Sequence, residues 1–243
     1  MQEIIHYFLS FVFGILPPIL WLSFYLREDQ RPEPKRMVIL VFTLGVLFVF
    51  PAFFFQSFFL EVFSFLNVPE PYLFFLENFF VIAFLEELFK FLPIFFFVFK
   101  NKEFDEPVDG MIYMIISALG FAACENFFAI LNLQPQQFQL PQLYFSSIFF
   151  FTLLRFLGPV FLHSLSSAIF GFFVSIYYFE IRKILILFLG VLLASLLHFV
   201  FNFSINLIKE EILAFSYYFW IILFLGGVGV LVHSLFQRLK KQK

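Results

Sequence analysis

The chain has 243 residues, of which 62% are hydrophobic and only 13% are charged, and its formal net charge is −2. A soluble domain is closer to half apolar and a quarter charged, so this composition excludes the soluble globular class. Apolar stretches of about 20 residues recur from end to end, and each is long enough to cross a hydrocarbon core of about 30 Å. The expected surroundings are therefore the lipid bilayer, and the small net charge argues against a nucleic-acid partner.

Short charged or proline-containing segments divide the chain into seven predicted membrane-spanning helices. They cover residues 4–26, 37–60, 73–98, 108–131, 157–179, 184–207 and 213–236. The apolar stretch 143–156 leaves no room for a further full crossing. It is either an interfacial or re-entrant piece or the tilted beginning of a long helix. The predicted fold class is all-α, a polytopic transmembrane helix bundle that forms one integral membrane domain over residues 1–243.

Basic residues are concentrated in alternate connecting segments. Twelve of the fifteen Lys and Arg residues fall in segments that would share one side of the membrane: Arg27, Arg31, Lys35, Arg36, Lys100, Lys102, Arg182, Lys183, Arg238, Lys240, Lys241 and Lys243. The opposite side holds Lys209 and Arg155, and Lys90 lies within a span. The positive-inside rule therefore places the N-terminus outside and the C-terminus in the cytoplasm.

Several polar residues lie inside the predicted spans, where burying an ionisable group is costly and usually serves a function. They are Glu86, Glu87, Lys90, Glu125, Asn126, His163, Ser164, Ser166, Ser167, His198 and Asn202. Two of them, Glu86 and Glu87, fall near the middle of their span. Four others lie roughly 4 to 10 Å nearer the outer surface, counted at about 1.5 Å per residue: Glu125, His163, His198 and Asn202. Helices that run in opposite directions thus place their polar groups in one layer.

Helical spacing adds detail to this layer. His198 and Asn202 are four residues apart and share a helix face, as do Glu86 and Lys90, so an intrahelical ion pair is expected for the latter two. Adjacent residues Glu86 and Glu87 point about 100° apart. One of these carboxylates is expected to face a reactive cavity, and a neighbouring helix is expected to hold the other.

Carboxylate, imidazole and carboxamide groups together supply the parts for hydrolysis. A glutamate assisted by a histidine can activate water as a general base, while a second histidine and an asparagine can stabilise an oxyanion. The same groups could instead bind a divalent metal through Glu86, His163 and His198, although the chain has no H-E-x-x-H motif.

Each polar residue also has a purely structural explanation when it is taken alone. The pair of Glu86 and Lys90 could serve packing specificity, and Asn202 could join two helices by a hydrogen bond. Arg155 is expected to extend to the outer headgroups, with binding of a substrate carboxylate as its second interpretation. The agreement in depth across four helices favours a common site over these separate explanations.

Four segments carry a resemblance to a known family. They are E-E-L-F-K from Glu86, D-G-M-I-Y with G-F-A-A-C-E-N from Asp109 to Asn126, H-S-L-S-S-A-I-F-G from His163, and H-F-V-F-N from His198 to Asn202. In this order, each on a separate span, they resemble the PrsW family of intramembrane proteases. That family lies in a superfamily with the CAAX-processing proteases and bacteriocin-processing enzymes.

The resemblance implies a metal-independent glutamate protease of the bacterial inner membrane, with a catalytic core over about 73–207. It implies that Glu86, supported by Glu87, activates water together with His163, and that His198 and Asn202 stabilise the oxyanion. Lys90, Glu125 and Asn126 are implied as supporting residues. A divalent metal is not excluded.

The resemblance also implies the substrate, a single-span membrane protein such as an anti-sigma factor that is cleaved near the outer face. The oligomeric state stays open. Two other functions compete with proteolysis. An ion- or proton-coupled transporter would use the buried Glu and His residues as a relay, and a non-catalytic membrane regulator would use them only for packing.

Overall fold

The computed structural model describes residues 2–29, 31–137 and 140–242, and the described chain is helical with no strand. Its helices are α1 (Gln2–Tyr25), α2 (Lys35–Phe65), α3 (72–98), α4 (Asp109–Leu131), α5 (Pro141–Leu157), α6 (Pro159–Ser175), α7 (Ile184–Lys209) and α8 (Tyr217–Leu239). A 3₁₀ turn, Pro135–Gln137, precedes α5, and a π-helical turn, Ile176–Glu180, extends α6. The predicted all-α bundle is confirmed.

Six helical segments are long and apolar enough to cross a membrane, and α5 and α6 together count as one of these. The predicted span 73–98 is not among the six, because α3 is divided. It passes from Tyr72–Phe75 (α) to Leu76–Phe84 (π), then to Leu85–Pro93 (α) and Ile94–Val98 (π). This helix carries the two adjacent glutamates, and π-helical turns are frequent where a helix bears functional groups.

Helix α4 is the centre of the bundle. It packs against α1, α2 and α6, and most of its residues are buried on every side, as expected of a helix that is apolar all round. The contact with α2 is close because two glycines lack side chains. A Cβ at Gly45 would lie 2.1 Å from the backbone oxygen of Ser117, and one at Gly120 would lie 2.1 Å from the backbone oxygen of Phe42. Small residues thus allow the helices to approach, as in other membrane bundles.

The predicted grouping of basic segments is seen at one end of the bundle. Glu28 after α1 pairs with Lys240 after α8 at 2.6 Å, and Arg36 at the start of α2 pairs with Glu103 at 3.3 Å. The segments that follow α1, α3 and α8 therefore share this end with the start of α2. The assignment of that end to the cytoplasm stays a prediction from the positive-inside rule.

Helix α5 descends along α1. Near the first turn of α1, His6 hydrogen-bonds to the hydroxyl of Tyr144 in α5, and farther along α1 the indole nitrogen of Trp21 donates to the Phe156 oxygen at 3.0 Å. Fifteen residues separate His6 from Trp21, which is about 22 Å along a helix. Helix α5 therefore runs parallel to α1, from the end of the bundle opposite the basic segments.

Helix α6 continues in the same direction after a bend. The backbone leaves the helical conformation at Gly158, and Pro159 begins α6. At the far end of α6, Gly171 packs so closely on the first turn of α4 that a Cβ would lie 2.5 Å from the Gly110 oxygen. Helices α5 and α6 thus form a single kinked crossing, and the re-entrant alternative for residues 143–156 is wrong.

Candidate active site

The two adjacent glutamates of α3 have different surroundings. The side chain of Glu87 is fully buried, and its Oε1 accepts hydrogen bonds from Lys90 Nζ at 2.8 Å and Ser166 Oγ at 3.0 Å. Its Oε2 accepts from Ser167 Oγ at 3.2 Å. His198 Nδ1 also lies 2.9 Å from Oε1, so the Glu87 carboxylate contacts four polar side chains and has no exposed surface.

Glu86 instead lines a cavity of about 630 Å³. Its Oε1 accepts a long hydrogen bond, 3.4 Å, from Gln56 Nε2 of α2. Its Oε2 is buried and has no hydrogen-bond partner among the described residues. As expected, one carboxylate faces a cavity and neighbouring helices hold the other. Glu86 is the one that faces the cavity.

His198 of α7 is oriented by Glu87. Because the Glu87 carboxylate only accepts, His198 Nδ1 must carry the proton of their 2.9 Å hydrogen bond. Nε2 of the same ring lies 3.7 Å from Glu86 Oε2. When the ring is neutral, both atoms accept hydrogen bonds, so that a water molecule or a cation would bridge them. Both side chains line the cavity.

His163 of α6 connects two charged groups. Its Nε2 lies 2.8 Å from Glu125 Oε2 of α4, and its Nδ1 lies 2.7 Å from Lys90 Nζ. The carboxylate requires a proton on Nε2 and the ammonium requires a lone pair on Nδ1, so the tautomer is set from both sides. The rings of His163 and His198 are perpendicular, with centroids 5.1 Å apart.

Lys90 has no exposed surface, and it is nearer to Glu87 than to the expected partner. Its Nζ lies 2.8 Å from Glu87 Oε1 and 3.7 Å from Glu86 Oε2. The expected pair with Glu86 is thus the weaker of two, because the serines of α6 and His198 draw Glu87 and the ammonium to the same point. A buried charge with a close counter-ion avoids most of the cost of leaving water.

Asn126 and Arg155 form a second arrangement beside the cavity. Arg155 Nε donates to Asn126 Oδ1, and Asn126 Nδ2 donates to the Gly14 oxygen of α1 at 3.1 Å. Arg155 lines the cavity, so the expectation that it extends to the outer headgroups is wrong. The reason is that α5 descends into the bundle and brings Arg155 to a buried amide on α4.

Asn202 lines the same cavity and is half-buried, and its amide makes no hydrogen bond to the rest of the described chain. The structure thus collects the polar residues of four predicted spans around one cavity. Those that line it are Glu86, Glu125, Arg155, His163, His198 and Asn202. Glu87 and Lys90 lie behind this wall, and Asn126 lies behind Arg155.

Comparison with known proteins bears on this arrangement. Residues 33–230 match the family model described as "PrsW family intramembrane metalloprotease". The chain belongs to the PrsW family. Proteins named "Protease PrsW" are 34% identical over 171 residues in Geobacillus kaustophilus, 32% over 194 in Oceanobacillus iheyensis and 32% over 213 in Bacillus subtilis.

These alignments extend over most of the molecule. They cover 70%, 79% and 85% of this chain, and 67%, 81% and 88% of the respective relatives. No solved structure matches the chain significantly. The predicted membership of the PrsW family is therefore confirmed, and with it an intramembrane protease that resides in a membrane, as in bacteria such as Bacillus.

The family description includes the word metalloprotease, and the PrsW site offers a suitable donor set. One ligand atom from each of Glu86, His163 and His198 lies within 4.8 Å of the other two. Two imidazoles and a carboxylate are a common ligand set of catalytic zinc. His198 bonds a carboxylate through its other nitrogen, as metal-bound histidines usually do. Both nitrogens of His163 already have partners, Glu125 and Lys90, so a metal would take the place of one of them. The residue types fit a divalent metal, and the expected metal-independent mechanism stays a prediction.

One contributor to this PrsW site, Gln56, was not expected from the sequence, and Arg155 had a functional role only as its second interpretation. Gln56 reaches Glu86 from α2, and a glutamine at this position of an apolar span is the signal that could have suggested it. The sequence predicted Arg155 at the membrane edge, because the course of residues 143–156 was undecided. Ser166 and Ser167 stood out as polar residues of a span, but their common partner Glu87 follows only from helix packing.

Proposed function

We propose that this PrsW-family protein hydrolyses a peptide bond of a single-span membrane protein, with Glu86 as the general base. The observation that carries the proposal is the contrast within one helix turn. Glu86 Oε2 is buried beside the cavity without a hydrogen-bond donor, whereas Glu87 accepts from Lys90, Ser166, Ser167 and His198. A base must be free to accept a proton.

The proposed reaction begins with a water molecule between Glu86 Oε2 and His198 Nε2. Both atoms accept hydrogen bonds, so they would hold the two protons of this water and direct its lone pair toward the scissile carbonyl carbon. The water oxygen forms the new C–O bond as its proton passes to Glu86. The carbonyl electron pair moves to oxygen, and we propose that the Asn202 amide donates a hydrogen bond to this oxygen. When the tetrahedral intermediate collapses, the C–N bond breaks, and Glu86 returns the proton to the leaving nitrogen.

The remaining polar residues are proposed to position these groups. Glu87 and Lys90 set the tautomer of His198 and His163, respectively, and Glu125 fixes the second nitrogen of His163. Side chains held on both sides need little reorganisation during the reaction, and such preorganisation is a large part of catalysis. A divalent metal, if the protein carries one, would be held by Glu86, His163 and His198 and would supply Lewis-acid polarisation of the scissile carbonyl.

The proposed substrate is a single-span protein, such as an anti-sigma factor, cut near the outer face. Support comes from the direction in which the cavity extends. Its wall includes Asn132 after α4, Lys209 at the end of α7 and Phe215 between α7 and α8. These residues lie at the end opposite the basic segments, which is the outer end by the positive-inside rule. A scissile bond that enters from this end reaches Glu86.

The test is cleavage of a co-reconstituted single-span substrate in liposomes, followed by gel and mass spectrometry. Glu86→Gln keeps the shape but cannot accept the proton, so we expect the rate to fall at least about 10³-fold with the thermal unfolding midpoint unchanged. Gln142→Glu, at the exposed start of α5, serves as a control for a Gln/Glu exchange outside the cavity. Cleavage by Glu86→Gln at the wild-type rate would refute the assignment of the base.

The same preparation decides the question of the metal. Elemental analysis of the wild type and of His163→Ala, together with cleavage after dialysis against a chelator, separates two outcomes. A stoichiometric divalent ion that is lost from His163→Ala assigns the metal to Glu86, His163 and His198. Full cleavage by a protein without a divalent ion supports the metal-independent reaction.

A further inference from the structure

Arg155 carries a charge into the wall of the cavity without a counter-ion in contact. No carboxylate of the described chain lies within 4 Å of its guanidinium, and its one hydrogen bond runs from Nε to the Asn126 oxygen. Its two terminal nitrogens make no hydrogen bond to the rest of the described chain. A charge placed at this depth without a contact partner is costly and indicates a function.

The guanidinium is held in place by three helices. Asn126, which is fully buried, accepts from Arg155 on α5 and donates to the Gly14 oxygen on α1. The approach of α1 to α4 needs the glycine, because a Cβ at Gly14 would lie 2.9 Å from the Phe127 nitrogen. Because this bond uses Nε, both terminal nitrogens stay without a partner in the described chain, and the residue lines the cavity.

Three hydrogen-bond donors of the cavity wall already donate within the protein. His163 Nε2 donates to Glu125, His198 Nδ1 donates to Glu87, and the Tyr218 hydroxyl donates to the Leu154 oxygen at 2.6 Å. A neutral His198 ring with its proton on Nδ1 only accepts at Nε2, and the role of His198 as an oxyanion donor stays a prediction. Arg155 and Asn202 remain uncommitted donors of the cavity wall, together with Asn132 and Lys209 where the cavity reaches the ends of α4 and α7.

We propose that Arg155 is a catalytic residue that donates from its terminal nitrogens to the carbonyl oxygen of the scissile bond. The proposal rests on the proposed protease function and adds a partner to Asn202. When water adds to the carbonyl carbon, Glu86 takes the water proton and the carbonyl π pair moves to oxygen. The positive guanidinium stabilises this new negative charge until the C–N bond breaks and the carbonyl forms again. Asn126 is the positioning residue.

The test is steady-state cleavage of a single-span substrate by full-length protein in liposomes. For Arg155→Ala we expect kcat to fall about 10²- to 10³-fold with KM changed less than about threefold, the effect of losing an oxyanion donor. Arg155→Lys keeps the charge but loses the planar guanidinium group, and we expect a kcat between those of the wild type and Arg155→Ala. Arg182→Ala, which removes an exposed arginine of the opposite end, is the matched control and should keep the wild-type kcat.

Chemical rescue separates catalysis from structural support. Added guanidinium or methylguanidinium fits the space that Arg155→Ala leaves in the cavity, so we expect it to raise the kcat of this variant at least tenfold. It should not rescue Glu86→Gln. Asn126→Leu should lower kcat in the same direction, while the unfolding midpoint of Arg155→Lys stays near that of the wild type.

Three results would overturn the proposal. One is wild-type kcat in Arg155→Ala. The second is loss of kcat without rescue together with a lower unfolding midpoint in both Arg155 variants, which indicates structural support. The third is an increase in KM alone, confined to substrates with an acidic residue near the cleaved bond, which indicates carboxylate recognition. In each case the wild type still cleaves, whereas failure of the protease function itself would show as no cleavage by the wild type.

Discussion

Two groups of buried carboxylates in this protein are stabilised in opposite ways. In the cavity cluster (Glu86, Glu87, Lys90, Glu125, His163 and His198), a buried ammonium and two imidazoles contact the carboxylates. In the loop cluster (Asp29, Glu33, Asp109 and Tyr113), no lysine or arginine of the described chain lies within 4 Å of an acidic group. A cation lets a buried carboxylate keep its charge, whereas a carboxyl group without one tends to keep its proton.

The loop cluster lies where the segment after α1 meets the start of α4. The Asp29 oxygens accept from the backbone N–H groups of Arg31 and Glu33 at 2.8 and 3.1 Å, and the Tyr113 hydroxyl donates to Glu33. Burial, reinforced by the nearby Asp109 carboxyl, raises the pKa of Glu33 to about 8. Burial also raises the pKa of Asp29 above its ordinary value.

The largest effect that separates the two clusters is expected from the cation. Lys90→Met removes the counter-ion of Glu87, and stranding a buried charge in this way typically costs about 3–5 kcal/mol. The measurement is reversible unfolding in mixed micelles. Lys100→Met removes an exposed lysine beyond α3 and should change stability by less than about 0.5 kcal/mol.

A double variant tests the origin of this loss. In Lys90→Met/Glu87→Gln the stranded charge is neutralised, so we expect part of the stability to return, although cleavage stays low because His198 loses its anchor. If the double variant is as unstable as the sum of the two single variants, the pairing of Lys90 with Glu87 is not what stabilises the cavity cluster.

A smaller effect is expected from pH at the loop cluster. The folded pKa of Glu33, about 8, exceeds its ordinary value of 4.5, so the folded state binds the proton more tightly than the unfolded state does. The contribution is fully present below pH 4.5, and it is lost as pH rises through about 8. Unfolding measured from pH 4.5 to 9 should show this decline, and Glu33→Gln should flatten it. An identical pH profile for the variant would contradict the raised pKa.

The smallest effect is expected from the tyrosine of the loop cluster. The Tyr113 hydroxyl stabilises the charged form of Glu33, so Tyr113→Phe should raise the pKa of Glu33 further and move the decline in stability to higher pH. Loss of one hydrogen bond should cost about 1 kcal/mol. Tyr177→Phe, a half-buried tyrosine of the turn after α6, is the matched control and should leave the midpoint of the pH profile in place.

The cavity cluster was largely predictable from the sequence, and the loop cluster was not. Ionisable residues within apolar spans stand out because the bilayer penalises them, and their depth follows from counting residues along a helix. Asp29 and Glu33 lie in a charged loop, where acidic residues are expected to be solvated. Their burial depends on how the loop folds back on α4, which local composition does not reveal.

Within the cavity cluster, the tertiary structure decided the partners. Spacing placed Glu86 and Glu87 on different faces of α3, but either could have faced the cavity. The donors that select Glu87 come from α6 and α7, at sequence separations of 79 residues for Ser166 and 111 for His198. Such partners depend on the arrangement of helices.

The sequence by itself thus determined the helical class, the path of most spans, the end at which basic segments gather, the family, and the layer in which polar groups meet. These properties follow from the local match between apolar length and bilayer thickness and from helix periodicity. The tertiary structure alone decided that Glu86 faces the cavity, that Lys90 pairs more closely with Glu87, and that α5 brings Arg155 into the site. The physical reason is that a hydrogen bond or an ion pair forms over about 3 Å between atoms from distant segments, and only packing sets those distances.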